Sequence, residues 1–183
     1  MEVSNANQIY TEILDDRRYI TTEEVAEALI NQDPSLRLFD VRSIEEYEEY
    51  SLPEADPMPI NDLLDPDYFA DLECNKYKIV FFSNAQLLSD QAWYVSRKKG
   101  CQDIYVLKGG LNEWFTNILN PAKPSDIESA ESVDLYNLRI AMRNYFLGLS
   151  TELDPEVFKA YRPKKAIAVK PKKKVEEEEE EGC

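Results

Sequence analysis

The sequence predicts an α/β fold of three layers, a mainly parallel sheet with helices on both faces. Three dense apolar runs carry this expectation: Leu36 to Val41, Lys78 to Phe82 and Asp103 to Leu107. Short runs that lack polar alternation suit strands covered on both faces. Segments of helical character stand between them, and such alternation marks parallel strands joined by crossovers. A length of 183 residues suits one domain plus extensions.

Residues 1–18 form a polar N-terminal extension, with a short helix expected at Gln8 to Leu14. Thr21-Thr22-Glu23-Glu24 then has the form of a capping box, Thr21 as cap and Glu24 reaching back. Val25, Ala28 and Leu29 follow at helical spacing, and Asp33-Pro34-Ser35 reads as a turn. The first strand, Leu36 to Val41, runs into Arg42 and a short charged helix over Ser43 to Tyr50. Pro53, Pro57 and Pro59 exclude regular helix and predict an extended loop. Asp65-Pro66-Asp67 opens a short helix through Leu72.

Lys78 to Phe82 is the clearest strand. A loop follows, then a helix from Ser89 to Lys99 closed by Gly100. After the strand Asp103 to Leu107, Gly109-Gly110 turns the chain into a helix over Leu111 to Asn117. These elements define a domain over residues 19–120. A linker over 121–132 leads to an amphipathic helix, Val133 to Leu149, with Leu135, Leu138, Met142, Phe146 and Leu149 on one stripe. That stripe is expected to dock on the body of the domain; self-association or a partner contact is the alternative.

Residues 150–183 read as a disordered, charged tail. Lys164, Lys165, Lys170 and Lys172 to Lys174 precede six glutamates, Glu176 to Glu181, and the two blocks are free to pair loosely. Cys183 ends the chain without the spacing of a prenylation box.

Composition excludes several functions. A net charge of −15 argues against sequence-independent nucleic-acid binding, which needs a basic footprint. No stretch approaches the roughly 20 apolar residues of a membrane span, and Met1 to Tyr10 lacks the pattern of a secretory signal, so a cytoplasmic location is expected. Cys74, Cys101 and Cys183 are too few and too irregular for a disulfide framework or a metal site, and Cys74 and Cys101 read as ordinary, partly buried thiols. The chain has no histidine. That removes Ser–His and Cys–His catalysis and histidine-based metal sites together. Neither a metal nor a cofactor is expected.

Three motifs in register then point to a family. Asp40-Val41-Arg42-Ser43-Ile44-Glu45-Glu46-Tyr47 resembles the Asp-x-Arg-x-x-x-Glu-Phe/Tyr signature of rhodanese domains. Leu52-Pro53-Glu54-Ala55 resembles their Ile-Pro-Gly-Ala segment. Ile104 to Trp114, with Gly109-Gly110 inside it, resembles their closing Val-Tyr-x-Leu-x-Gly-Gly-x-x-x-Trp. The resemblance covers about Tyr19 to Phe115. The Ser-Asn pair in the loop and the Gly-Cys end are also similar to a subgroup from Bacteroidetes-type bacteria.

The resemblance implies a site. Active rhodaneses carry a cysteine straight after the central strand, in a loop whose backbone N–H groups point inward and whose following helix adds its positive end. Here the loop is Ser83, Asn84, Ala85, Gln86, Leu87, Leu88 and Ser89, with Ser83 at the cysteine position. Sulfur transfer needs a thiolate that holds a second sulfur. An unassisted serine hydroxyl stays protonated near neutral pH and forms no persulfide. Active members often place arginine and glycine in this loop; Asn84, Gln86 and Leu88 bring no positive charge, and Asp90 brings a negative one to the first helical turn. No catalytic residue is therefore predicted.

The reading favoured by the sequence is an inactive rhodanese-like domain acting as a binding or regulatory module, and the resemblance implies a link to sulfur metabolism. A protein partner is expected at the 83–89 loop or the C-terminal helix. Leu87-Leu88 either offers an apolar contact there or folds inward to fill the vacated pocket. The alternatives are a sulfurtransferase using another cysteine, Cys101 foremost, and an oligomerisation scaffold.

Overall fold

The computed structural model describes residues 15–125 and 129–149. Five parallel strands form one sheet: β1 (Tyr19–Ile20), β2 (Leu36–Asp40), β3 (Ala55–Pro57), β4 (Lys78–Phe82) and β5 (Ile104–Leu107), in spatial order β1-β5-β4-β2-β3. The central strand β4 pairs with β2 from Leu36–Lys78 to Asp40–Phe82. Its successive side chains alternate between two cores. Val80 and Phe82 enter one with Leu38, Leu107 and Trp114; Ile79 and Phe81 enter the other with Phe39, Trp93 and Val106. Both faces being apolar, period-2 geometry leaves an unbroken apolar run in the sequence.

The first face is covered by α1 (Thr22–Ile30), α5 (Gly110–Trp114) and α6 (Ala130–Phe146), the second by α3 (Pro66–Ala70) and α4 (Leu87–Lys98). The small helix α2 (Ile44–Glu49) follows β2. The capping box at Thr21 is present: its hydroxyl accepts from Glu24 N, and the Glu24 carboxylate accepts from Thr21 N. Ser43 and Glu46 form a second one at the start of α2. Each satisfies two amides that a helix start leaves unpaired.

The structure differs from the sequence expectation at the sheet edges and at helix ends. Tyr19–Ile20 and Ala55–Pro57 are strands, one at each edge. Pro57 is compatible with β3 because an edge strand need not donate on its outer side. Helix α4 begins at Leu87, so Leu87 and Leu88 lie in its first turn instead of in the loop. Helix α5 ends at Trp114 and continues as a π turn, Phe115–Leu119.

The last helix spans Ala130–Phe146, starting and ending three residues before the expected bounds, with Ser129 as its cap. It docks on the body as expected. Leu138 and Met142 are buried in the first core, and Phe146 meets Trp114 edge-on at 5.1 Å. Arg139 pairs with Glu23 of α1, and Arg143 Nε donates to the Leu119 carbonyl at 3.0 Å. Leu149, at the far end of the expected stripe, is exposed. The expected helix at Gln8 to Leu14 and the tail from Ser150 lie outside the described residues. Among the described residues no helix is long and apolar enough to cross a membrane.

Candidate functional site

The loop after β4 is held by three neighbours, each through backbone or side-chain hydrogen bonds. Ser83 directly follows the central strand and is only 3% exposed. Its hydroxyl donates to the Ala85 carbonyl at 2.6 Å and lies 3.5 Å from the Ser89 hydroxyl. Ser89 is fully buried and donates to the Gln86 carbonyl at 2.9 Å. The two serines are thus spent on turning the loop into α4.

The second neighbour is the start of α5. Leu111 N donates to Ser83 O at 2.9 Å, and Asn112 N donates to Asn84 O at 3.1 Å. Close approach at Gly110 makes this possible. Its φ is +61°, and a Cβ there would lie 2.3 Å from Ser83 O and 2.8 Å from Ala85 O. Both the left-handed backbone and the contact with fixed carbonyls require glycine.

The third neighbour is the end of β2. Asp40 is fully buried and Arg42 nearly so. Arg42 Nε donates to Asp40 Oδ1 at 2.9 Å and its terminal nitrogen to Oδ2 at 2.7 Å; Ser51 Oγ donates to the same carboxylate at 2.9 Å. The Asp40 carboxylate, first through its hydrogen bonds, holds the Arg42 pKa above the usual guanidinium value. The remaining donors of Arg42 go to the Tyr50 carbonyl and to Asn84 Oδ1, the latter at 3.0 Å. Asn84 in turn donates to Glu46 Oε1 at 2.8 Å. The motif residues Arg42 and Glu46 therefore meet the loop at one residue, Asn84, and Asp40 holds Arg42 from behind. The Arg42 charge is matched by a buried carboxylate and so offers little net attraction to an anion.

Two sequence expectations are corrected here. Asp90 does not face the loop as a free charge. Its carboxylate accepts from Arg18 Nε at 3.0 Å and from the Tyr19 hydroxyl at 3.1 Å. Repulsion of an anion by Asp90 is correspondingly offset. Cys74 and Cys101 are not ordinary thiols: they form a disulfide, with Cα atoms 5.2 Å apart. Cys74 precedes β4 and Cys101 precedes β5, at the opposite end of the sheet from Ser83. Five strand residues put about 17 Å between those ends.

The two leucines separate. Leu88 is half-buried and packs on the second core, whereas Leu87 is 72% exposed. Leu87 borders an apolar surface cavity of about 700 Å³, shared with Ile60, Leu64, Trp93 and Tyr94. That volume is in the range of small-ligand and peptide side-chain pockets. The cavity had no signal in the sequence, because its walls come from α4 and from the irregular segment before α3. Asn84 and Ala85 are exposed, and Gln86 is half-buried. Among the described residues, no group of three or more acidic, cysteine or histidine side chains is placed to hold a metal ion.

Comparison with known proteins agrees with this architecture. The family model described as Rhodanese-like domain matches residues 21–117. No curated protein matches the chain. Among solved structures, a Rhodopseudomonas palustris protein of unknown function, described as a possible tyrosine phosphatase, superposes with a TM-score of 0.51 at 19% identity, over 62% of this chain and 93% of the other. A human single-domain sulfurtransferase is 28% identical, with a TM-score of 0.45, over 54% and 95% of the two chains. The rhodanese-like domain of an Anabaena protein is 24% identical, with a TM-score of 0.49, over 61% and 88%. The family model accounts for more than half of the 183 residues, from the cap of α1 into the π turn after α5, and the chain belongs to the rhodanese-like domain family.

Proposed function

We propose that this is a catalytically inactive rhodanese-like domain, of a subgroup lacking the family cysteine, that binds a protein partner through the 83–89 loop and the apolar cavity beside it. The observation that carries the reading is the state of Ser83. It stands directly after the central strand, where the family resemblance puts the sulfur-carrying cysteine. Its hydroxyl is buried and gives its proton to a carbonyl, a partner that cannot remove it. A nucleophilic serine needs a base within hydrogen-bond reach, and the chain has no histidine to serve as one.

Two further features support a binding role over chemistry. Arg42, which donates to Asn84 of the loop, is already paired with the buried Asp40 carboxylate. The apolar surface that an isolated domain would be expected to cover is instead presented, with Leu87 at 72% and Leu64 at 59% exposure. A sulfurtransferase working through Cys101 is disfavoured, since that sulfur is bonded to Cys74 and lies at the other end of β4. An oligomerisation scaffold is disfavoured too, because α6 spends Leu138 and Met142 on its own domain. A link to sulfur metabolism follows as an expectation from the family, and a cytoplasmic setting as an expectation from the sequence.

The test is mass spectrometry of the intact protein after incubation with thiosulfate and, separately, with a persulfide donor, alongside a thiosulfate:cyanide assay. No added sulfur on any residue of the loop and no turnover above that of free thiols is expected. Turnover beyond that background would overturn the proposal.

A further inference from the structure

We propose that Cys74 and Cys101 form a reversible thiol–disulfide couple that sets the rigidity of the unit made of β4, the 83–89 loop and α4. The bond is placed to do this. Cys74 lies just before β4 and Cys101 just after α4, so the 27-residue separation encloses that whole unit and little else. The inference does not depend on what the loop binds.

The surroundings of the two cysteines favour reversibility. Asn75 ties the two turns together without using sulfur: its Oδ1 accepts from Gln102 N at 2.8 Å, and its amide donates to Gly100 O at 3.4 Å. After reduction these bonds keep the thiols adjacent, so the disulfide can reform within the folded chain. Cys74 itself sits between two left-handed residues, Glu73 at φ +48° and Asn75 at φ +68°. Such backbone is unfavourable outside glycine and needs its neighbours to hold it. The disulfide is one of those neighbours, which links the redox state of the pair to the order of the turn.

The sulfurs differ in access. Cys101 is 1% exposed, whereas Cys74 is half-buried. The thiolate of a dithiol reductant would therefore attack Cys74 Sγ. A bond forms between the two sulfurs, the Cys74–Cys101 bond breaks, and its electron pair leaves on Cys101, which takes up a proton. The reductant's second thiol, as a thiolate, then displaces Cys74, which is protonated in turn. Two electrons and two protons pass to the protein, and the reductant leaves as its own disulfide. A small-molecule disulfide oxidant reverses the sequence. By chain-entropy arithmetic for a loop of this length, opening it raises the unfolding equilibrium constant roughly a few hundred-fold.

The full chain carrying Cys183→Ser, to remove the third thiol, is equilibrated without denaturant in a series of oxidised and reduced dithiol buffers. Free thiols are trapped by alkylation and mapped by mass spectrometry, with amide exchange followed in parallel. Cys74 and Cys101 should convert together in one reversible two-electron transition, and exchange over residues 78–98 should accelerate at least tenfold in the reduced protein. Cys74→Ser, at the more exposed position, should exchange like the reduced form in every buffer, and Asn75→Ala should shift the transition toward the dithiol. Failure of the pair to oxidise, resistance of the bond to excess dithiol in the folded protein, or unchanged exchange on reduction would each overturn the proposal.

Discussion

Arg42 donates to Asn84 Oδ1 at 3.0 Å while holding the buried Asp40 carboxylate with its other nitrogens. One side chain thus serves two purposes: it neutralises a charge under the sheet and fixes the loop above it. The two purposes separate by mutation. Arg42→Ala leaves Asp40 buried without its partner and is expected to cost about 3–5 kcal/mol. Asn84→Ala removes only exposed or partly buried bonds to Arg42 and Glu46, and about 1 kcal/mol is expected. Urea unfolding of both variants measures the difference; equal costs would mean that the ion pair is not what holds this corner.

Gly110 governs the other side of the loop. A methyl group there meets two backbone carbonyls, Ser83 O and Ala85 O, neither of which is free to move without displacing the loop. Its φ of +61° adds conformational strain. Gly110→Ala is expected to destabilise by at least about 2 kcal/mol. It should also shift the amide resonances of residues 83–86, which NMR would show. A variant as stable as the parent would mean that the α5 start can retreat from the loop.

The central part of this fold was legible because its signals are local. The strands β2, β4 and β5 are buried on both faces, so each appears as an apolar run, and the cap at Thr21 follows from residue types three apart. The edge strands β1 and β3 were not legible, since two or three residues carry no period and Pro57 argues against a strand unless its edge position is known. At the site, the motif residues and Ser83 were readable as types in order. Their convergence on Asn84 was not, for it spans 42 and 38 residues of sequence. The pairing of Asp90 with Arg18 and of Cys74 with Cys101 likewise depends on which strand ends the sheet brings side by side.

Leu87 and Leu88 are adjacent in sequence and opposite in role. Leu88 packs on the second core, so Leu88→Asp buries a charge among apolar side chains and is expected to cost about 2–4 kcal/mol or to prevent folding. Leu87→Asp alters a side chain that is 72% exposed and should change stability by less than about 0.5 kcal/mol. If the cavity beside it receives a partner, Leu87→Asp should nevertheless weaken that complex at least tenfold by calorimetry. Full binding by Leu87→Asp would move the partner contact elsewhere on the domain.

Helix α6 belongs energetically to the domain although it lies beyond the matched family residues. Met142 is fully buried, and truncating it opens a cavity against Trp114 and Ile118 on the same core. Met142→Ala is expected to cost about 2–5 kcal/mol in urea unfolding. Sedimentation of the same variant should show no change in oligomeric state, because the stripe is used within one chain. A change in state with stability intact would show instead that the helix joins subunits.

Alkaline pH offers a test of burial that needs no mutation. Partial burial foremost raises the pKa of Tyr19 and Tyr105 above the ordinary 10.0, and for Tyr19 the Asp90 carboxylate adds to it. The folded chain therefore keeps these phenol protons at pH values where the unfolded chain has lost them. With more protons bound in the native state, stability must fall as pH rises through and above about 10. Below that point both states are protonated and the contribution is constant. Absorbance at 295 nm should show part of the 11 tyrosines ionising near pH 10 and the remainder higher, with the second step vanishing in denaturant. A single transition at pH 10 in the folded protein would mean that water reaches the Tyr19 and Tyr105 hydroxyls freely.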